Sequence, residues 1–269
     1  MEKNIYIVVV IYRCHISKSD TIKSLLSIQD VDYSNRVLVY DNSPEDFEQE
    51  TISNGMSYIR DVNNNSLAYA YNKAVSIAKS KGCKWLMLLD QDSVLDNEIF
   101  VEFDNICQNN IEIGMIVPHV VSHTNKIISP HYRKIGERIN EGIHNHLFCI
   151  NSFSIINIDF VINILKGFNE DFPLDMLDYY TCYCINKSEY KYYVMNCVMK
   201  HNLSVYNKCY VGMKRYESIV GAEYKFYCMI GKKKLYIFRL VCRSMKMLTH
   251  RQISHAIYNF RFILQQLIF

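Results

Sequence analysis

The sequence predicts an α/β fold built on a largely parallel sheet, and three observations predict it. Short β-branched runs recur through the first half, helical periodicities separate them, and an apolar strand at 86–89 ends abruptly in two acids. A chain of 269 residues is long enough for one large domain of this kind plus a small appendage. Hydrophobic residues make up 49% and charged residues 21%, which excludes the polar composition of a disordered chain.

The elements follow in order. Residues 5–12 form a strand-sized apolar run. Ser17 and Asp20 then sit three apart as a capping-box-like pair, and Ile22, Leu25, Leu26 and Gln29 keep helical spacing. Further strands are expected at 36–40, 56–59, 84–89 and 113–117. A helix is expected from Ser66 to about Lys81, with Leu67, Ala70, Ala74 and Ile77 or Ala78 on one face and Gly82 stopping it. Between 119 and 155 the pattern weakens into short alternations, while 158–166 reads as a short helix closed by Gly167. A mixed, partly antiparallel second half fits, and no repeat or low-complexity linker marks a boundary before about 220.

Composition narrows the setting. The 21 Tyr and 4 Pro carry no functional weight. Ten Cys occur without a CxxC pair; Cys182 and Cys184 would share one face of a strand but lack the partner pair of a zinc site. With no signal peptide to suggest an oxidising compartment, they read as reduced thiols of a cytoplasmic protein. No apolar run approaches the roughly 20 residues that span a bilayer. The net charge of +3 hides an asymmetry, because residues 224–269 hold nine Lys or Arg and no acid. The expected organisation is therefore a catalytic domain over 1–223 and a basic, amphipathic helical tail over 224–269. Read as one helix, that tail lines Arg239, Arg243, Lys246 and His250 along a face, which suits docking on an anionic membrane face. Packing on the body or in a dimer explains such a stripe nearly as well. Nucleic acid is a weaker reading of the same charges and is not expected as a partner.

The chemistry concentrates at LMLLDQDS, residues 86–93, where an apolar strand runs into Asp90 and Asp92. In a parallel α/β sheet ligands gather at the carboxyl ends of strands, and carboxylates there suit a hard cation that completes its shell with diphosphate oxygens. A solvated turn explains the same letters. Asp41, in VLVYDNS, ends the second strand and is a candidate to contact a nucleoside, or else forms an Asx turn. NNNSLAYAYNKA, residues 63–74, opens a helix whose amino terminus suits phosphate, with Ser66 and Asn72 as candidates, although an N-cap at Ser66 accounts for it too.

Taken in order, VVVIYR (8–13), YDNSPED (40–46), NNSLAYAYNKA (64–74), LLDQDS (88–93) and GFNEDFPLDMLDYY (167–180) resemble family 2 glycosyltransferases over roughly residues 5–205. The resemblance implies a GT-A type fold, a Rossmann-like mixed sheet flanked by helices. It implies an inverting transferase that uses Mg²⁺ or Mn²⁺ and a nucleotide-sugar donor, with a glycan or lipid-linked glycan as acceptor at the inner face of a bacterial membrane. Asp41 would contact the nucleoside, Asp90 and Asp92 would hold donor and metal, and His201 in VMKHNLS would stand near the metal or diphosphate. A histidine satisfied on a strand is the plainer reading of His201. Asp178 would be the general base, with Asp175 shaping the acceptor site. LDQDS and FPLDMLD look most like the rhamnosyltransferase branch of O-antigen and capsule synthesis, which implies dTDP-L-rhamnose; a UDP-hexose or UDP-N-acetylhexosamine is the alternative donor.

The sequence departs from that pattern at Ser66, where Gly is expected, at Arg13 for Asn, and at Tyr180 and Cys184 after the base. The last two leave open a non-catalytic glycan-binding relative. A nucleotidyltransferase is disfavoured, because IYRCHISKSD lacks the Gly-rich loop such enzymes place after the first strand.

Overall fold

The computed structural model describes residues 4–28, 33–50, 55–107, 112–122, 124–132, 135–201 and 211–268. Gln29 of the first expected helix lies outside them. The chain divides into two compact units, Met1–Asn202 and Leu203–Phe269.

Continuous burial of the early apolar runs, rather than alternation, marks strands covered on both faces, and this is how the first unit is built. Its strands are β1 (Ile5–Ile11), β2 (Val37–Asp41), β3 (Ser57–Arg60), β4 (Trp85–Asp90), β5 (Ile113–Val121), β6 (Ile127–Ser129), β7 (Gly142–His144), β8 (Ile155–Asn157) and β9 (Lys191–Lys200). They form one sheet in the order β3-β2-β1-β4-β8-β5-β9-β7, with β6 on β5. The β3-β2-β1-β4 half is parallel. Short β8 then runs antiparallel to both β4 and β5, and β9 is parallel to β5. The carboxyl ends of β1, β2, β4, β5 and β9 therefore open on one side of the sheet, and the order reverses beside β1, where a crevice forms in such folds.

The flanking helices are α1 (Asp20–Ser27), a single turn α2 (Tyr33–Arg36), α3 (Leu67–Ser80), α4 (Glu98–Ile106), a turn α5 (Ile158–Phe160) and α6 (Leu177–Asn186). The N-cap of α1 is Ser19, whose Oγ accepts from the Ile22 amide; the expected cap Ser17 lies in a 3-10 turn and hydrogen-bonds Glu50 instead. The helix expected at 158–166 is one α turn followed by a π turn, Val161–Leu165. Cys182 and Cys184 sit on α6, so they do not share the face of a strand. Two unexpected helices, α4 and α6, bury Ile99, Phe100, Phe103 and Ile106, and Leu177, Thr181, Cys182 and Ile185.

The second unit has three helices among its described residues: α7 (Met213–Met229), α8 (Lys233–Thr249) and α9 (Ile253–Ile268). Tyr216, Val220, Tyr236, Leu240, Met247, Ala256 and Ile263 form its core. Position 223/224, where the charge pattern changes, lies inside α7. Glu223 is buried there and ion-paired to Arg243 of α8 at 2.8 Å, with Tyr236 Oη donating to the same carboxylate. Arg243 is thus turned inward and does not belong to an exposed basic stripe. Among the described residues no helix is long and apolar enough to cross a membrane.

Candidate active site

Two corners make up the site. The first is the turn after β4. Asp90 is the last residue of that strand, and the turn is held from α1: Thr21 Oγ1 donates to the Asp90 carbonyl, Ser19 Oγ donates to the Gln91 carbonyl at 2.7 Å, and the Ser93 amide donates to Thr21 Oγ1 at 2.8 Å. Gln91 looks back toward β1, its Oε1 accepting from the Tyr12 amide at 2.8 Å. With the backbone pinned this way, the Asp90 and Asp92 side chains project together.

His201, just past β9, meets them. Its amide donates to the Val121 carbonyl at 3.0 Å, and its ring packs edge-on against Phe153 at 6.1 Å. Nε2 lies 3.7 Å from Asp90 Oδ2 and Nδ1 lies 3.8 Å from Asp92 Oδ1. Those separations are too long for hydrogen bonds. Yet one ligand atom from each residue lies within 4.8 Å of the others, and the buried Nδ1 has no hydrogen-bond partner. Two hard oxygens and an imidazole gathered without bonding one another fit a divalent cation better than a proton-linked network. Burial raises the Asp90 carboxyl, His201 opposes that, Asp92 adds to it, and a hydrogen bond with Ser152 lowers it. A cation would reverse the balance by favouring the ionised form.

The second corner is the segment 167–178. Asp178 lies in the first turn of α6, and its Oδ1 accepts from the Tyr179 amide at 2.8 Å. Burial pushes its carboxyl up to about 6; the Tyr179 amide works against this, while the charges of Asp175 and Asp90 add to it. Asp175 and Asp90 thus both act on Asp178, which links the two corners electrostatically.

Asn72 holds this segment. Its Oδ1 accepts from the Phe168 amide at 2.7 Å, and its Nδ2 donates to the Phe168 carbonyl at 3.0 Å and to Glu170 Oε1 at 3.2 Å. Gly167 permits the approach: its φ is +93°, and a Cβ there would stand 3.2 Å from Asn72 Oδ1. At the other end of the segment the Leu67 amide donates to the Pro173 carbonyl at 2.9 Å. The start of α3 is therefore partly filled by the acid-bearing segment and by Ser66, whose Oγ accepts from the Tyr69 amide at 3.1 Å. Asn72 and Ser66, expected to bind donor, are engaged in local structure.

Asp41 is likewise enclosed. It is fully buried, with Oδ1 accepting from the Ser43 amide and Oδ2 from Gln49 Nε2 and Tyr58 Oη. Although burial acts to raise its pKa, these hydrogen bonds outweigh it and leave the carboxyl below its ordinary value. Asp90, Asp92 and His201 are brought together, Asp178 feels the charges of Asp90 and Asp175, and Asp41 is closed off beneath its own partners.

The sequence reading missed Thr21, Ser93 and Ser152, which fix the Asp90 turn, and Tyr71. Tyr71 is fully buried on α3, packed on Phe168 at 5.1 Å, and its hydroxyl has no hydrogen-bond partner. The charges of Asp90 and Asp178 add to the burial that raises its pKa, so it lies near both corners. A tyrosine at a core position of a helix carries no sequence signal that it faces acids.

The model of Glycosyl transferase family 2 matches residues 6–165, more than half of the chain. The chain belongs to this family. No curated protein matches it. Among solved structures it is similar to TarS of S. aureus, with 12% identity, a TM-score of 0.54, and coverage of 83% of this chain and 40% of that one. A TarS fragment, residues 1–349, gives 11% identity and a TM-score of 0.52 over 97% of this chain and 90% of that one. The same fragment in complex with UDP gives 12% identity and a TM-score of 0.52 over 83% and 65%. The chain thus spans 40% of the length of the first of these structures. Its mixed sheet with flanking helices is the GT-A arrangement, followed by a helical carboxyl-terminal unit.

Proposed function

We propose that the chain is an inverting glycosyltransferase that moves a sugar from a nucleoside diphosphate donor to a hydroxyl of a surface glycan acceptor. The observation that carries this is the convergence of Asp90, Asp92 and His201, with a buried carboxyl at Asp178 that the charge of Asp90 helps to raise. Membership of family 2 and the UDP bound by a TarS structure of like fold support a nucleotide-sugar donor. Asp90, Asp92 and His201 would hold Mg²⁺ or Mn²⁺, whose charge stabilises the departing diphosphate.

The chain's own residues do the rest. Asp178, ionised at working pH, accepts the proton of the acceptor hydroxyl as its oxygen bonds the anomeric carbon and the bond to the diphosphate breaks. A base with a pKa near 6 is ionised at neutral pH yet more basic than an ordinary carboxylate, which suits it to that task. Inversion follows from one displacement, since a single carboxylate serves and no covalent sugar intermediate is needed. Asp175 borders the acceptor side. Motif likeness favours dTDP-L-rhamnose as donor, and a lipid-linked glycan at an anionic membrane face is the acceptor this reading expects.

The test is turnover of a nucleotide-sugar panel with Mn²⁺, with Mg²⁺ and with EDTA. Transfer or donor hydrolysis dependent on a divalent cation is expected. Inertness toward every donor, with no thermal stabilisation by UDP or dTDP, would favour the non-catalytic relative. A response to UDP-sugars alone would overturn the rhamnose assignment.

A further inference from the structure

The outer face of α8 is built against the usual rule for a soluble helix. Tyr236, Leu240, Ser244 and Met247 face the unit's core. On the opposite side Leu235, Phe238, Cys242 and Met245 fall at steps of three, four and three, so they form one row. All four are exposed, Phe238 at 66% and Met245 at 56%. On the helical wheel Lys234 borders one edge of that row, and Arg239 and Lys246 border the other. α9 adds exposed Ile253, Ile257 and Leu264 with Arg261 exposed nearby. Lone exposed apolar residues need no explanation, but a continuous row rimmed by one sign of charge does.

We infer that the outer row of α8 inserts into the headgroup boundary of an anionic bilayer, with Lys234, Arg239 and Lys246 reaching up to lipid phosphates. This rests on the membrane-face reading above and deepens it by naming the inserting face. Charge complementarity selects the occupant. Residues 211–268 hold eleven Lys and Arg against two Glu, and Glu223 is consumed by Arg243. A second copy would set Lys234, Arg239 and Lys246 against their own equivalents, with no acid on α8 or α9 to meet them. A bilayer of anionic lipid offers an apolar interior beneath a negative surface, the two complements this face needs. Long basic side chains can keep their charge at the phosphates while their stems lie along the apolar row.

Cys242 supplies the probe, since it is the exposed thiol among the described free cysteines. The full chain, labelled there with an environment-sensitive fluorophore, is mixed with vesicles of phosphatidylglycerol and phosphatidylcholine at 3:7. The expected result is co-flotation, a blue shift of the label and quenching by acyl-chain quenchers, with none of these on pure phosphatidylcholine. Phe238→Asp with Met245→Asp is expected to weaken binding about 100-fold, at roughly ten-fold for each buried side chain lost. Phe238→Leu should retain binding, and helical circular dichroism and donor hydrolysis should be unchanged in both variants. Binding without a blue shift, or unaltered in the double Asp variant, overturns insertion in favour of charge-only docking. Self-association in solution that the double Asp variant abolishes, without vesicle binding, overturns it in favour of a second copy. Capture by an acidic protein with no response to vesicles overturns it likewise. Donor hydrolysis, measured apart from vesicles, reports on the transferase reading separately.

Discussion

The two corners of the site surround their acids with different neighbours. Asp90 leaves a central strand, its turn is gripped by Thr21 and Ser19, and His201 stands opposite to offset its burial. Asp178 begins a helix after an irregular segment that Asn72 and Pro173 tie to α3, and its charged neighbours, Asp175 and Asp90, are of the same sign. On the proposed function a cation at the first corner would offset the burial that raises Asp90, while at the second the burial and like charges that raise Asp178 suit a proton acceptor. The same shift in direction therefore has different uses, decided by what faces each carboxylate.

The sharpest way to break this contrast is at the cation corner. Asp92→Asn should lower transfer about 1,000-fold or more, since it removes a ligand at the centre of developing charge, while the melting temperature without metal stays nearly constant. Isothermal titration with Mn²⁺ checks the cause. Full activity in Asp92→Asn or in excess EDTA would dismantle the cation corner.

At the base corner Asp178→Asn should lower kcat about 100- to 10,000-fold with donor affinity retained. In the parent chain kcat should rise with pH through about 6 and level off above, because the carboxylate must be ionised to act. Stability has the opposite sign. A carboxyl raised in the folded state adds stability below its unfolded pKa near 3.8, and that contribution is lost as pH rises through about 6. Asp178→Asn should therefore gain on the parent from pH 4 to 7, reaching about 1 kcal/mol after allowance for partial exposure. Greater damage from Asp175→Asn than from Asp178→Asn would move the base to Asp175.

Legibility in the sequence divides along similar lines. The parallel strands, Asp90 and Asp92 at a strand end, and the helix ending at Gly82 follow from local patterns, because covered strands and helix stops are written in neighbouring residues. α4 is written there too, with Ile99, Phe100, Phe103 and Ile106 at helical spacing. α6 was hidden by Tyr179, Tyr180, Tyr183 and two cysteines, which carry strand propensity until packing overrides it. What no local pattern holds is contact across the chain: Arg243 folding onto Glu223, or Asn72 bonding Phe168. His201 was reached through family likeness, since its meeting with Asp90 depends on β9 joining the sheet beyond β5.

A smaller effect probes how the base segment is held. Asn72→Ala removes two hydrogen bonds to Phe168 and should cost about 1–3 kcal/mol of stability. With the segment loosened, kcat should fall about 10-fold while donor Kd changes little, as displacement of a catalytic group by a fraction of an ångström has such consequences. Loss of donor affinity at unchanged stability would return Asn72 to the donor-contact role that its motif suggests.

The smallest effect tests the start of α3, where the Leu67 amide supports the base corner through the Pro173 carbonyl. Ser66 has φ 142° and ψ 170°, a region that residues with a Cβ rarely enter and where the family pattern has Gly. Strain of this kind costs about 1–3 kcal/mol. Ser66→Gly removes it, gives up the cap to the Tyr69 amide at a few tenths of a kcal/mol, and adds about 0.4–1 kcal/mol of unfolded-chain freedom. The difference favours Gly by about 1 kcal/mol, or roughly 2–4 °C in Tm. If Ser66→Gly instead destabilises, the hydroxyl cap outweighs the backbone strain. If it raises donor affinity at unchanged Tm, the turn serves the diphosphate rather than the helix.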